Sequence, residues 1–268
     1  MLKEVSTNIR KHIIEAISTA GSGHPGGSLS IADIMAVLYF DEMNVDAKNP
    51  NMETRDKFVL SKGHGAPALY GALAEKGYFP KEELLKLRKI GNMLQGHPDR
   101  KKIPGVEIST GSLGQGFSTS IGLALANKLD KKDGRVYVIL GDGELQEGLV
   151  WEAAMSAAHY KLDNLFVILD NNGLQIDGKN EDVMDIGSAK DKFEAFGFHV
   201  IEGDGHDFEV IKNAFAEGRK IEGKPTVFIA KTVKGKGVSF MENEAGWHGK
   251  APNAEERKIA LDELGGEK

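Results

Sequence analysis

The sequence predicts an α/β protein: a three-layer αβα domain with a mostly parallel central sheet. Three observations carry this. Short apolar runs suited to strands recur at residues 58–60, 136–140, 165–169, 198–201 and 226–230. Helical patterns lie between them, and strands alternating with helices imply a parallel sheet with right-handed crossovers and helices on both faces. Two of the runs end in glycine, acid and amide turns, at the carboxyl edge where ligands bind in open parallel sheets.

The elements follow in chain order. Val5, Ile9, Ile13, Ile17 and Ala20 recur at helical spacing and stop at Gly21, so a first helix delivers the chain into a loop over residues 21–27. Ser30 is the expected cap of a second helix carrying Ile31, Ile34, Met35 and Leu38. The glycine loop at 111–116 opens a helix through Leu129, a further helix spans 147–160, and Asp207 caps another ahead of the last strand. The tail from Lys250 has a cap in Asn253 and acidic residues after it, which predicts a peripheral helix from about residue 253. No repeat, linker or low-complexity tract interrupts the chain, so residues 1–268 read as a single domain.

Composition narrows the function. With 40% hydrophobic and 28% charged residues the chain has the balance of a globular protein. A net charge of −6 argues against nucleic acid or an anionic membrane surface as partner, since both attract clustered Lys and Arg. The absence of cysteine removes disulfides, thiolate metal sites and cysteine nucleophiles. No stretch approaches the roughly 20 apolar residues of a membrane span, and the N-terminus lacks the apolar core of a signal peptide. A cytoplasmic location is the expectation.

The strand 136–140 runs directly into Gly141, Asp142, Gly143 and Glu144, and the strand 165–169 into Asp170, Asn171 and Asn172. One helical crossover between them makes the strands neighbours, so Asp142 and Asn172 emerge side by side. A carboxylate, an amide oxygen and a nearby carbonyl form a hard oxygen set for Mg²⁺ or Ca²⁺, with phosphate oxygens and water completing the shell. Gly141 and Gly143 let backbone amides approach phosphates. Either segment alone also reads as a tight turn; together, after consecutive strands, they favour the site.

Two decoys fall away. Residues 218–224, GRKIEGK, nearly spell a phosphate-binding loop, but Pro225 and a strand follow where Ser or Thr and a helix are required. The segment GSLGQG at 111–116 has the wrong spacing for a dinucleotide fingerprint. Four of the eight histidines sit in Gly- or Pro-containing loops: GHPGG at His24, SKGHG at His64, GHPD at His97 and WHG at His248. Any one alone reads as a solvated turn; four together suit sugar-phosphate chemistry, because imidazole bonds oxygen and moves protons near neutral pH.

GDGELQEG followed by LDNNGLQIDG resembles the thiamine-diphosphate motif of transketolases, and SGHPGGSLS, SKGHG, GHPD and GSLGQG resemble transketolase loops in the same order. The resemblance implies Asp142, the Asn172 side chain and the Leu174 carbonyl as metal ligands. Mg²⁺ is expected, with Ca²⁺ or Mn²⁺ as alternatives. It implies that His64 and His248 donate to the diphosphate, that His24 and His97 line the substrate channel, and that His24, His97 and His248 form the catalytic set. Gly111 and Leu113 would approach the aminopyrimidine, and Gly143 and Asn172 would also contact the cofactor. Ile176 would pack on its rings, with a core isoleucine as the alternative. Glu147 would connect cofactor sites across a dimer, although its place in a first helical turn is itself sufficient reason for an acid. Asp177 is a turn residue or a further site residue. His12, His159, His199 and His206 match no loop and read as structural or surface residues.

The likeness covers only the diphosphate-binding half of such enzymes. It therefore implies a separate C-terminal subunit carrying the pyrimidine-binding domain and its activating glutamate, a dimer of heterodimers, and ketol transfer between sugar phosphates. The competing readings are another thiamine-diphosphate enzyme, of deoxyxylulose phosphate synthase or 2-oxo acid dehydrogenase type, and a non-catalytic cofactor-binding subunit.

Overall fold

Helix α1, Leu2–Ala20, buries Val5, Ile9, Ile13 and Ile17 on one face and stops at Gly21, whose φ of 65° is the left-handed conformation that glycine adopts without strain. The computed structural model describes residues 1–265; the last three residues of the expected domain 1–268 lie outside the described residues. The expected loop 21–27 is helical from its Pro25 onward, as α2, Pro25–Leu29, with proline at the start where its missing N–H costs nothing. Helix α3, Ala32–Val37, begins two residues later than Ser30. Ser30 is not its cap: the Ser30 hydroxyl donates to Asp170 Oδ2 at 2.7 Å, a buried carboxylate being the stronger acceptor.

Strand β1, Lys57–Leu60, is followed by α4, Ala66–Lys76, a helix absent from the sequence expectation. Its residues from Ala66 to Ala74 are all buried, so no polar face marks its period. Helix α5, Gln115–Leu129, leads to β2, Val136–Gly141, then to α6, Gly148–His159, and β3, Leu165–Asn171. Two short helices, α7, Asn180–Met184, and α8, Ala189–Ala195, precede β4, His199–Asp204. Asp207 caps α9, Phe208–Gly218, by accepting from Glu209 N at 2.8 Å and Val210 N at 3.2 Å. After β5, Thr226–Lys231, the chain ends in α10, Ala254–Glu263, where Asn253 and Glu256 form a reciprocal capping box.

The five strands are parallel and lie in the order β1-β2-β3-β5-β4. Alternate residues point to opposite faces. Tyr137, Ile139, Phe166, Ile168 and Phe228 pack on one side with α1, α3 and α4, while Val138, Leu140, Val167, Leu169 and Val227 pack on the other with α5 and α6. Both faces are covered, as the near-continuous apolar runs require. Pairing of Gly141 with Asp170 brings the ends of β2 and β3 to one level.

Candidate functional site at the strand ends

Asp142 leaves β2 directly beside the 170–174 turn that leaves β3. Its Oδ1 accepts from Gly143 N at 2.8 Å and its Oδ2 from Gly173 N at 2.5 Å, so the two turns are tied through this one carboxylate. Asn172 donates from Nδ2 to Asp170 Oδ2 at 3.0 Å and accepts at Oδ1 from Leu174 N at 3.1 Å. The Leu174 carbonyl accepts from Lys234 Nζ at 3.2 Å, which already brings a positive charge onto that oxygen. Burial, and next the charge of Asp170, push the Asp142 carboxyl up to about 6. A cation would relieve that cost. Among the described residues no three His, Asp or Glu side chains cluster as a complete metal site. One acid, one amide oxygen and one carbonyl fit a hard divalent cation whose shell is finished by oxygens from outside the chain.

These groups face a cleft of about 240 Å³. His24, His64, Gly111, Leu113, Gly143, Ile176 and His248 line it together with Asp142, Asn172 and Leu174. His97 stands just behind: a side chain added at Gly111 would reach within 3.3 Å of its ring. Ile176 is 66% exposed, which excludes the core reading and leaves an apolar side chain on the rim. Glu147 is exposed at the start of α6 and makes no capping bond. Asp177 is exposed in the turn closed by the Leu174–Lys179 bridge. Gly116 is required in the glycine loop, since a Cβ there would sit 2.6 Å from Ser61 Cα and force α5 away from the cleft.

Three imidazoles form a triangle, with ring centres 5.4 Å apart for His24–His64, 5.4 Å for His24–His248 and 5.1 Å for His64–His248. Burial foremost, then the positive charge of Lys62, holds His64 well below its ordinary range. Burial and Lys234 bring His248 down to about 3. Burial and Arg88 lower both His24 and His97. All four rings are therefore uncharged near pH 7, each with one donor and one acceptor nitrogen. Lys234 Nζ donates to His248 Nδ1 at 2.9 Å, so the His248 proton sits on Nε2. The other histidines stay outside: His12 pairs with Glu75, His199 with Glu217, and His159 packs on Tyr160. His206 pairs with Asp33.

Three cleft residues carry no signal of their own in the sequence. Lys234 follows β5 in KTVKGKG, and burial, then Lys62, lower its ammonium to about 8. Lys62, in the SKGHG loop, donates to Asp170 and to the Gly27 carbonyl. Glu144, within the GDGE turn, accepts from the Ser61 hydroxyl, from Gly114 N at 2.7 Å and from Gly141 N at 3.1 Å. One buried carboxylate thus holds three loops of the cleft. Glu144→Gln turns an NH₂ group toward one of these donors and is expected to cost about 2 kcal/mol. That is roughly 4–8 °C in Tm for a chain of this size, read by calorimetry. An unchanged Tm removes Glu144 from this role.

A family profile described as "Transketolase, thiamine diphosphate binding domain" matches residues 2–268. A 6-deoxy-6-sulfo-D-fructose transketolase subunit of Clostridium sp. (strain MSTE9) is 45% identical over 98% of this chain and 96% of its own length. An apulose-4-phosphate transketolase subunit of Phocaeicola vulgatus is 44% identical over 95% of this chain and 90% of its own. Human transketolase is 47% identical over 93% of this chain but only 40% of its own. Transketolase from Leishmania mexicana superposes with a TM-score of 0.95 at 34% identity, covering 100% of this chain and 42% of that one. The chain thus spans about two fifths of the solved transketolase it matches and nearly all of the two subunit relatives. By profile, by relatives named as transketolases or their subunits, and by fold, the chain belongs to the transketolase family, in its thiamine-diphosphate-binding domain.

Proposed function

We propose that residues 1–268 form the diphosphate-binding domain of a two-chain transketolase, moving a two-carbon ketol unit from a ketose phosphate to an aldose phosphate. The observation that carries this reading is the convergence of Asp142, Asn172 and Leu174 with Lys234 and three uncharged histidines on one cleft. Asp142, Asn172 and the Leu174 carbonyl would hold the divalent ion, their oxygens suiting a hard cation such as Mg²⁺. Lys234, His64 and His248 neutralise or bond the diphosphate oxygens, and Gly143 lines the cleft beside them. When bound, the cofactor would supply a nucleophilic ring carbon. Gly111, Leu113 and Ile176 line its rings. His24, on the cleft, and His97, just behind Gly111, are both uncharged and would bond donor hydroxyls and carbonyl and exchange protons with them.

Relatives named as subunits, aligned over nearly their full length, support a separate partner that carries the remaining domain. The assembly proposed is a dimer of heterodimers, and its location the cytoplasm; no helix among the described residues is long and apolar enough to cross a membrane. A mixing assay tests the reading. The purified chain alone is expected to show no ketol transfer, and transfer is expected to appear on adding the complementary subunit. Full activity of the chain alone rejects the two-chain arrangement, and binding of cofactor without activity under any pairing favours a non-catalytic role.

A further inference from the structure

Behind the cleft lies a buried polar array that the proposed chemistry does not use. Arg10, on α1, donates from Nη1 to Asp33 Oδ1 at 2.9 Å and from Nη2 to Asp33 Oδ2 at 2.6 Å. Asp33, on α3, also faces His206 Nδ1 at 2.9 Å. The far ring nitrogen of His206, Nε2, accepts from Val233 N at 2.9 Å. That bond fixes the tautomer: Nε2 is bare, so the proton lies on Nδ1 and is donated to Asp33. Arg10 Nε meanwhile donates to the Lys236 carbonyl at 3.0 Å. The array therefore grips the backbone at 233 and 236, on either side of Lys234.

Gly235 N donates to the Gly26 carbonyl at 3.0 Å, and Asn243 N to the Lys234 carbonyl at 2.9 Å, so the same short segment is also held by α2 and by the backbone at 243. Arg10, Asp33 and His206 line a different pocket, one that shares no residue with the cleft. They touch nothing that a ligand in the cleft could touch. Their effect on it passes through the segment that aims Lys234 at the Leu174 carbonyl and His248 Nδ1.

We propose that His206, oriented by the Arg10–Asp33 pair, is a positioning residue for Lys234, setting the place of the ammonium that meets the diphosphate. This rests on the reading of the cleft as a thiamine-diphosphate site. The burial of a bidentate Arg–carboxylate pair gives the array a rigid frame, and the Val233 N–H···Nε2 bond of His206, beside the Arg10–Lys236 bond, transmits it to the loop. Orientation by hydrogen bonds one layer removed is how sites of this kind are tuned.

Two polar variants separate positioning from mere packing. In His206→Gln the amide oxygen reaches the place of Nε2 and still accepts from Val233; in His206→Asn it is too short to do so. With the full chain purified alongside its partner subunit, calorimetric titration with thiamine diphosphate and Mg²⁺ is expected to give wild-type affinity for the Gln variant. The Asn variant is expected to bind about tenfold more weakly, because the Lys234 ammonium is displaced from its charge-assisted bond to the diphosphate. In a Lys234→Ala background the difference between Gln and Asn is expected to vanish. Equal affinities for the two variants, or a difference that survives Lys234→Ala, overturns the proposal. A second arm needs no ligand: the acylation rate of Lys234, followed by mass spectrometry, is expected to rise in the Asn variant and not in the Gln variant, and equal rates overturn the proposal. Should the wild-type chain bind no cofactor, the reading of the cleft fails, and the labelling arm still decides the role of His206.

Discussion

Asp142→Ala is expected to abolish metal-dependent cofactor binding, raising the apparent Kd for thiamine diphosphate at least a thousandfold, or about 4 kcal/mol. Asp142 is the carboxylate of the strand-end set, and the amide and carbonyl oxygens beside it carry no full charge. Without it the proposed site loses its one acid not already paired with a lysine, since Asp170 is bonded to Lys62, and the cation proposed to bind the diphosphate loses its anchor. The fold is expected to survive. Asp142 accepts from the backbone at Gly143 and Gly173, both on partly open turns that water can reach. Asp142→Asn separates the two roles: one amide oxygen still accepts from backbone while the charge is gone, so the turn persists and affinity falls as far. Titration with Mg²⁺ and cofactor, alongside a thermal melt, checks both. Unchanged affinity in either variant removes the central assignment.

Much of this site was legible because its parts lie on consecutive strands. The runs at 136–140 and 165–169 needed only one crossover to become neighbours, so the adjacency of Asp142 and Asn172 followed from sequence order, and the register of Gly141 with Asp170 realises it. The insertion of β5 between β3 and β4 had no such signal, since nothing local records which strand edge a later strand joins. Helix α4 was invisible for the opposite reason: buried all round, it has no polar stripe to give a period. The same limit hid the long-range polar contacts. Ser30 reads as a cap from its neighbours alone, and only the fold brings it to Asp170, 140 positions away. Lys234 and His206 carry no motif of their own; their meaning lies in what the 231–237 segment approaches.

Asp170 is the residue on which that long-range network closes, and its removal is expected to be the most destabilising change near the cleft. It is fully buried and accepts from the Lys62 ammonium, from the Thr232 and Ser30 hydroxyls and from Asn172 Nδ2, so the ends of β3 and β5 and two loops meet at one carboxylate. Burial alone would raise this acid, yet the Lys62 charge beside it and the hydrogen bonds hold it below the usual range. Removing one partner leaves the other charge buried and uncompensated, so Lys62→Met and Asp170→Leu are each expected to cost about 3–5 kcal/mol. That corresponds to roughly 6–20 °C in Tm. The double variant, with apolar groups at both places, is expected to recover much of that loss, because an ion pair replaced whole by packed side chains is often neutral. It is not expected to recover cofactor affinity, since Asn172 then loses the acceptor that orients its amide and the cleft loses an ammonium. Chemical denaturation and cofactor titration on the three variants separate these effects. Additive losses of stability in the double variant, or cofactor binding regained with it, would mean that Lys62 and Asp170 do not act as a coupled pair beneath the proposed metal site.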